Sequence, residues 1–503
     1  MSEKQRFRIP TLDGGVMPSI SPQLLESDRG YSSSVYNLDF TIPGVPVKRP
    51  GTTTFVSPTT ENILGCHSFT KLLTDNHYMV VAQNGSLIVW DTLNNQWQTV
   101  VSGILSEEFD FLTIADMVLV VSETITLVLN RPQLRVTFGG PYNTMQYNTS
   151  SNDIAYRFRI KASLEEKTLP TGKYLEGYRL RAALAGNLEF PSMLFLSHTG
   201  DPTLWNPDTL GSNATRVFVA PDDGEGISGL LNMGDGSLLI GKPSSLYMLF
   251  GYARENFAID PLDFSVGVAA HKSMIYSAPY AYFVSRRGIY RIRQGERPEQ
   301  ISLALKEFFD NQVNQDELHQ AKGLLLGNLY VITLPRIGGG SITLVYDTIR
   351  ERWVGEWTAP LMGAVTTRAS GEVYYNEPAG RQLYEIKPNS LKDESKGITA
   401  SLTTIELDAD LPEIEKDIGD LYLICRGHTT AYNITVSLQF DGGGWVVRKQ
   451  DVRIDVPLGA QELIRIPVGK TVRFFRVKIE SCAGEANFSP MSLLYTFYQR
   501  DVL

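Results

Sequence analysis

One segment of the chain matches the start of a nucleotide-binding P-loop. It is GSLLIGKP, from Gly236 to Pro243. A P-loop needs Ser or Thr directly after its Lys to hold magnesium, and a helix must begin there. Here Pro243 follows Lys242, and the intervening Ser-Leu-Leu-Ile is typical of a strand. The segment therefore predicts a strand and a turn, not a nucleotide site.

Histidine and cysteine spacing gives no sign of a metal centre. No histidine belongs to an HExxH motif or forms a close pair, which argues against zinc. The cysteines also lack metal-ligand spacing, which predicts buried free thiols in a reducing compartment. A GxSxG nucleophile elbow is absent as well. The residues concerned are His67, His77, His198, His271, His319, His428, Cys66, Cys425 and Cys482.

Carboxylates are concentrated in two segments, PDDGEG at 221–226 and LDADLPEIEKD at 407–417. The second lacks the glycine and the spacing of a calcium loop, and both are typical of solvated loops. A carboxylate pair assembled by the fold, as in a glycosidase, stays open. Repeated sialidase-type boxes and repeated Trp-Asp signatures are absent. We therefore predict no catalytic, cofactor-binding or metal-binding residue, no cofactor and no enzyme activity.

The composition is that of a globular β-rich protein. The chain has 503 residues, of which 43% are hydrophobic and 20% charged, and it is rich in Gly, Tyr and Phe. This length predicts two or more domains, and these residues favour strands and turns. The net charge of -9 argues against a static nucleic-acid clamp, but not against a surface that DNA slides past. We find neither a secretory signal nor an apolar run long enough for a membrane helix.

The elements that would position any site are mostly short strands. Residues 1–60 predict an extended lead-in that closes onto other structure, with Pro50-Gly51 as the centre of a type II turn. Residues 61–390 alternate strands and turns with a period of 40 to 50 residues, which predicts a β-propeller. An insertion is expected near 140–185.

One figure occurs twice, as IVWDTLNNQW from Ile88 and as LVYDTIRERW from Leu344, 256 residues later. This interval equals six periods of about 43 residues, which predicts about seven blades, with six as the alternative. Asp91 and Asp347 are interpreted as turn formers, since Asp can accept hydrogen bonds from the following backbone. Trp97 and Trp353 should pack across their hairpins.

The remaining segments predict one helix, a linker and a second domain. ISLALKEFFDNQV, 301–313, places apolar residues on one face, with Ser302 as its cap. Residues 387–397 predict a linker. Five β runs follow in 396–503 and predict a small β-sandwich. In its FFRVKIE segment, Phe475, Val477 and Ile479 face one way, and Arg476 and Lys478 the other. The apolar helix face comprises Ile301, Leu305, Phe308, Phe309 and Val313.

Three segments resemble the tail nozzle or hub proteins of short-tailed bacteriophages, also called packaged-DNA stabilisation proteins. The first is the Gly/Pro-rich start leading to VPVKRPGTTTF at 45–55. The second is MLFLSHTGDPTLWNP at 193–207, and the third is the stretch from Val217 to Gly251 with its PDDGEG and GKPSSLY elements. With the β-rich tail, the likeness spans most of the chain.

The resemblance implies a structural virion protein. It implies a homohexameric ring below the portal and adaptor proteins, with tail fibres or spikes around it. Such a ring retains packaged DNA and provides the channel for its ejection. The protein would lie in the virion tail, and in the host cytoplasm during assembly. Six copies of a chain with net charge -9 would carry -54, so we expect a lumen that repels phosphate.

Two other classes remain open. A carbohydrate-binding or polysaccharide-degrading β-propeller protein is the main alternative, with the sandwich as a binding module. The sequence contains no repeated sugar-binding motif and no secretion signal, and both absences argue against this alternative. A cytoplasmic propeller scaffold for protein partners would explain the repeats but not the long Gly/Pro lead-in.

Overall fold

Nearly all regular structure in the chain is β-strand. The computed structural model describes residues 4–18, 20, 30–70, 77–91, 95–104, 108–114, 117–129, 136–139, 146–147, 169–234, 236–359, 363, 365–368, 370–481 and 487–499. No described helix combines the length and apolar composition needed to cross a membrane. Cys482 and most of the predicted insertion lie outside these ranges.

The first 60 residues contribute strands to three different parts of the molecule. The first strand pairs with the last strand of the chain, and the second joins two sheets. The third and fourth pair with each other, and the fifth completes a sheet 330 positions further along the chain. These strands are β1 (Gln5–Ile9), β2 (Ser32–Tyr36), β3 (Leu38–Asp39), β4 (Val47–Lys48) and β5 (Gly51–Thr54).

Seven antiparallel sheets follow one another along the described chain, as propeller blades do. The first sheet contains β6 (Ile63–Thr70), β7 (His77–Gln83), β8 (Gly85–Asp91) and β9 (Gln96–Ile104). The second sheet contains β10 (Asp110–Ile114), β11 (Met117–Val121), β12 (Thr126–Leu129) and β13 (Val136–Gly139), and the next strand, β14 (Gln146–Tyr147), pairs with β9 of the first sheet. The third sheet contains β15 (Tyr174–Tyr178), β16 (Arg181–Ala185), β17 (Met193–Leu196) and β18 (Thr215–Phe218).

The later sheets repeat this order. The fourth sheet contains β19 (Gly229–Asn232), β20 (Leu238–Gly241), β21 (Leu246–Phe250) and β22 (Ala258–Asp263), and the fifth contains β23 (Ile275–Ser277), β24 (Tyr280–Ser285), β25 (Gly288–Arg293) and β26 (Glu299–Gln300). The sixth sheet contains β27 (Lys322–Leu326), β28 (Leu329–Pro335), β29 (Ser341–Asp347) and β30 (Arg352–Trp357). The seventh sheet contains β31 (Val365–Thr367), β32 (Val373–Tyr375), β33 (Tyr384–Lys387) and β5.

Apolar clusters fill the spaces between neighbouring sheets, so the sheets pack face to face around an axis. The seventh sheet packs against the first through a cluster that includes Met79, Trp90, Tyr374 and Leu383. The first strand of each sheet lies innermost and contacts its counterpart in the next sheet at most of these junctions. The all-β propeller class predicted from the repeats is confirmed.

The doubled figure occupies equivalent positions in two blades. Both copies join the third and fourth strands of a sheet, in the first sheet and the sixth. Trp90 packs edge-on against Trp97 with ring centroids 5.2 Å apart, and Tyr346 against Trp353 at 5.1 Å. Two equivalent hairpins therefore have nearly the same ring packing.

The six-period arithmetic is wrong, although the estimate of seven blades agrees with the sheets observed. Only five steps separate the first sheet from the sixth. The interval is long because the chain between β13 and β15 exceeds an ordinary connection. The seventh sheet is completed by β5 from the lead-in, which a count of periods does not include.

The single described α-helix differs from its prediction. It is α1 (Lys306–Gln312), preceded by a short 3-10 turn at Leu303–Leu305, and it lies between the fifth and sixth sheets. Ser302 does not cap it: the Ser302 hydroxyl accepts a hydrogen bond from the Ile289 backbone N–H at 2.9 Å. Further 3-10 turns occur at Pro221–Asp223, Arg254–Asn256, His271–Ser273 and Leu318–Gln320.

The C-terminal part contains β36 (Ser401–Thr404), β37 (Lys416–Arg426), β38 (Tyr432–Phe440), β39 (Trp445–Ile454), β40 (Gln461–Val472), β41 (Phe475–Ser481) and β42 (Pro490–Gln499). These strands belong to two packed sheets. One has the order β1-β42-β37-β40, and the other continues from the sixth propeller sheet through β2 into β36-β41-β38-β39. Phe475, Val477 and Ile479 are buried as predicted, and Phe475 meets Tyr495 of the facing sheet at 5.0 Å.

The predicted linker and insertion both contain paired strands. Within 387–397, β34 (Lys392–Asp393) and β35 (Lys396–Gly397) form a hairpin, and β34 runs parallel to β5. Within 140–185, positions 174–178 and 181–185 are β15 and β16 of the third sheet. Backbone pairing therefore holds the described parts of both segments in the fold.

Candidate functional site

The innermost strands converge on a cavity of about 400 Å³. We call it the axial cavity. A smaller cavity of about 80 Å³ adjoins it and shares Leu64, Phe109, Lys272 and Lys322 with its wall. The axial cavity is lined by Ile63, Leu64, Glu108, Phe109, Lys173, Tyr174, Ala269, Ala270, His271, Lys272, His319, Gln320, Lys322, Gly363, Pro378 and Ala379.

Asp110, the first residue of β10, lies behind this wall and is almost fully buried. Its Oδ2 accepts hydrogen bonds from the Leu175 backbone N–H at 2.8 Å and from the His271 ring at 2.9 Å. Its Oδ1 accepts from the Phe111 backbone N–H at 2.9 Å and from the Lys272 ammonium. The carboxylate therefore ties β10 to the third sheet and to the turn that precedes β23.

The tautomer of His271 follows from its two bonds. Its Nδ1 accepts a hydrogen bond from the Leu230 backbone N–H at 3.2 Å, so the ring proton lies on Nε2 and is donated to Asp110. Burial raises the pKa of Asp110, but the positive charge of Lys272 and the hydrogen bonds from Lys272 and His271 outweigh it and hold the pKa well below its usual range. With both oxygens bound to four donors, Asp110 is poorly suited to be a general base.

Lys322 is the first residue of β27 and faces both cavities. Its ammonium donates a hydrogen bond to the Gly363 carbonyl oxygen. Among the described residues, no carboxylate lies within ion-pair distance of its Nζ. Burial, with the positive charge of Lys272, lowers the pKa of Lys322 to about 8. The group is thus a cation at neutral pH that the protein compensates poorly.

The neighbouring Cys66 and Tyr174 are both protonated at neutral pH. Burial raises the pKa of the Cys66 thiol to about 12, so the thiol is not an activated nucleophile. Burial and nearby carboxylates raise the pKa of Tyr174 to about 12, which keeps its hydroxyl as a neutral donor. The Tyr174 ring packs on His271 with centroids 5.1 Å apart.

Four other histidines form hydrogen bonds within the protein and do not lie together, while His319 lines the axial cavity. His67 bonds to Thr113, His77 to Ser68, and His428 to Ser489. Burial lowers the pKa of both His67 and His77 to about 4. His198 accepts a hydrogen bond from the Asn213 backbone N–H at 3.0 Å. In the part of the chain that is described, no group of three His, Cys, Asp or Glu side chains could hold a metal ion.

The P-loop-like segment is a strand followed by a turn, as predicted. Residues 238–241 form β20, and Lys242 is fully buried. Its ammonium contacts both oxygens of Asp223 at 2.7 and 2.8 Å and the Ala220 carbonyl oxygen at 2.8 Å. The acidic segment 221–226 is thus a partner of this lysine. In the second acidic segment, buried Lys416 donates to the Leu411 and Ile414 carbonyl oxygens.

Asp347 is a turn former. Its Oδ1 accepts hydrogen bonds from the backbone N–H groups of Ile349 at 3.0 Å and Arg350 at 3.1 Å. The side chain of Asp91 lies outside the described structure.

Sequence reasoning missed the groups around the axial cavity. Asp110, His271 and Lys322 are separated by 161 and 51 positions, so no local spacing connects them. Their common feature is their place: each lies in or just before the innermost strand of a sheet. Only a repeat alignment with correct blade boundaries could have brought them together.

Comparison with known proteins assigns no family. No family model matches the chain, and no curated protein matches it. Solved structures that are similar to it include the extracellular domain of a one component system from B. thetaiotaomicron, with a TM-score of 0.42 at 8% identity over 84% of this chain and 48% of that one. The chain thus spans about half the length of that protein.

Two further similar structures have lower scores. The WD40 domain of Toxoplasma gondii coronin has a TM-score of 0.38 at 8% identity, over 70% of this chain and 88% of that one. An exo-beta-1,3-galactanase from Phanerochaete chrysosporium has a TM-score of 0.26 at 11% identity, over 89% of this chain and 99% of that one. Similarity at this level says nothing about function, and the strand order of the chain itself defines the fold.

Proposed function

We propose that this chain is a structural subunit of the tail nozzle or hub of a short-tailed bacteriophage. Six copies would form a ring below the portal and adaptor proteins, retain the packaged DNA and provide the channel for its ejection. Tail fibres or spikes would attach around the ring. The subunit would be made in the host cytoplasm and have no catalytic role. The three segments that resemble nozzle proteins support the proposal.

The observation that carries the proposal is the position of the KRPGTTT segment. Arg49 is 1% exposed and lies at the junction of β5, β30 and β34. Its guanidinium donates to Asn37 Oδ1 at 2.9 Å, to Thr358 Oγ1 at 3.0 Å and to the Asp393 carboxylate. The following residues, β5, complete the seventh propeller sheet. The most recognisable segment thus joins the sixth and seventh propeller sheets and the β34–β35 hairpin.

The other two segments also contribute framework contacts. In the second, Trp205 is buried and its indole N–H donates to the Pro202 carbonyl oxygen at 2.6 Å. In the third, Lys242 joins Asp223 and lies 5.9 Å from the centre of the Tyr247 ring. Buried, fully bonded polar groups of this kind fix one arrangement of the backbone. The likeness therefore lies in residues that determine the fold, which fits a structural protein.

One sheet continues from the propeller into the C-terminal part, and such a rigid connection suits a structural component of a ring. The sixth propeller sheet and the C-terminal part form one nine-stranded sheet, because β2 pairs with both β30 and β36. Backbone hydrogen bonds thus cross the domain junction. Flexible hinge motion at that junction would break them.

Cryo-electron microscopy of purified virions tests the proposal. We expect this chain as a ring of six copies directly below the adaptor. Particles made without the chain are expected to package DNA and then lose it, as measured by encapsidated DNA per head. Virions whose tails lack this chain, or heads that keep their DNA without it, would contradict the proposal.

The axial cavity favours one second candidate, a carbohydrate-binding or polysaccharide-degrading propeller protein. It is lined by lysine, histidine and tyrosine side chains that can donate hydrogen bonds. A glycan array together with a turnover assay on host polysaccharide separates this candidate from the first. Binding or cleavage of host polysaccharide by a chain that is absent from virions would favour it.

A further inference from the structure

One of the three lysines in the wall of the axial cavity has, among the described residues, no carboxylate within hydrogen-bonding distance. Of the three lysines in its wall, Lys173 pairs with Glu123, and Lys272 pairs with Asp110. Lys322 has a carbonyl oxygen as its partner and, within the described ranges, no carboxylate. Glu108 also lines the cavity, and its negative charge acts on Lys322. One ammonium therefore faces the cavity with only a neutral protein acceptor.

A cation in this position creates an anion site. An ammonium that is partly removed from water loses hydration, and a neutral carbonyl restores only part of it. Lys272 also lines the cavity with a half-exposed side chain, and its ammonium can donate to an anion although Asp110 already compensates its charge. The repulsion between the two ammonium groups is relieved when a negative group lies between them.

The rest of the wall supplies hydrogen-bond donors and a ring face. The Tyr174 hydroxyl and the Gln320 amide can donate, and the Tyr174 ring offers an apolar surface to a flat ligand. A volume of about 400 Å³ falls within the range of small-molecule sites. It suits a molecule with one sugar-sized ring rather than a polymer.

We infer that the axial cavity binds a small organic oxyanion, a carboxylate or phosphate group on a body the size of one sugar ring, with Lys322 and Lys272 as the cations that hold it. This site does not depend on a role in a phage tail. It is a binding site and requires no chemical step.

Calorimetric titration of the purified full chain at pH 7 tests the inference. The probes are glucuronate, glucose 6-phosphate, inorganic phosphate and, as the neutral match, glucose. We expect glucuronate or glucose 6-phosphate to bind at least tenfold more tightly than glucose. Preference between these two distinguishes a carboxylate from a phosphate ligand, and inorganic phosphate alone shows whether the sugar ring contributes.

Two variants locate the site. Lys322→Met removes the charge and keeps a similar length, and we expect it to weaken anion binding at least tenfold. Lys306→Gln is the matched control, because Lys306 lies on α1 and pairs with Asp310 away from the cavity; it should bind as the unaltered chain does. Unchanged anion affinity in Lys322→Met would overturn the inference. So would equal affinity of the unaltered chain for glucuronate, glucose 6-phosphate and glucose, a result that needs no variant to fold.

Discussion

At the scale of single residues, Asp110 shows how a group that resembles a catalytic acid can be structural. Its carboxylate lies within hydrogen-bonding distance of a histidine and a lysine, the groups that often accompany a catalytic acid. Its contacts with Leu175, His271 and Lys272, however, join segments of backbone that are distant in the sequence. A catalytic carboxylate needs a free position that faces its substrate, and Asp110 has its oxygens engaged. Its contribution is to hold the second, third and fifth sheets together at the axis.

Replacing Asp110 by Asn should therefore destabilise the propeller. The variant loses the charge that compensates Lys272 and places an amide where two donors converge, which we expect to cost about 3–5 kcal/mol. Hydrogen exchange of β10, β15 and the 271–273 turn measures the local effect. Asp316→Asn, at an exposed position, is the control and should change nothing. Equal exchange in both variants would show that the Asp110 contacts contribute little.

Lys322 predicts a pH dependence of stability. Its pKa of about 8 in the folded chain lies below the ordinary lysine value near 10.4, so the unfolded chain binds more protons between these two pH values. Stability should therefore rise with pH across this window, by on the order of 2 kcal/mol. Lys272, Glu108 and Cys66 face the same ammonium, but the thiol stays protonated throughout.

The measurement compares the unaltered chain with Lys322→Met by thermal unfolding from pH 7 to pH 10. Above pH 8, the free energy of unfolding of the unaltered chain should rise relative to that of the variant. Groups that titrate in both proteins affect both free energies equally and do not contribute to this difference. A difference that stays constant across this range would contradict the lowered pKa of Lys322.

At the scale of elements, local patterns predicted hairpins well and distant pairings poorly. The doubled figure, the strand at 238–241 and the alternation at 475–479 each depend on neighbours in the sequence, and each is confirmed. Three of the lead-in strands, β1, β2 and β5, pair with partners hundreds of positions away, and no turn or period in the sequence specifies such a partner. The groups around the axial cavity were missed for the same reason.

Gly51 shows how a residue can be required for a different cause than the one predicted. We expected a type II turn with a positive φ, but Gly51 lies in β5 without a left-handed φ. It is needed because a Cβ there would lie 2.0 Å from the Lys392 carbonyl oxygen of β34. Close approach of two backbones, rather than a turn, explains the glycine of the Arg-Pro-Gly-Thr segment.

Gly51→Ala should accordingly separate β34 from β5. We expect a cost of about 1–3 kcal/mol, because rigid backbone has to move to make room for the methyl group. Gly444→Ala is the matched control: a Cβ there meets nothing within 4 Å, and its φ is not left-handed. Amide exchange of β5 and β34 should increase in the first variant alone. Equal protection in both would mean that the close approach is easily relieved.

At the scale of the whole molecule, strands from the first 60 residues pair with strands of the propeller and of the C-terminal sheets. β1 pairs with β42, β2 joins the propeller to the C-terminal sheets, and β5 completes the last blade. Unfolding any one of these parts exposes edges of the others. Backbone pairing thus opposes separation of the propeller from the C-terminal sheets, a property that the proposed structural role requires.

The charge of the whole chain gives the last prediction. With a net charge of -9 per copy, the subunit should repel the phosphate backbone, and its oxyanion site is too small to admit a duplex. The isolated chain is therefore expected to show no measurable affinity for double-stranded DNA at about 150 mM salt. Fluorescence anisotropy of a short labelled duplex measures this, and lowering the salt should produce little binding. Tight, salt-sensitive binding would instead reveal a basic surface along the path of the DNA, and the idea of a repelling lumen would then have to be abandoned even if the chain is found in the tail.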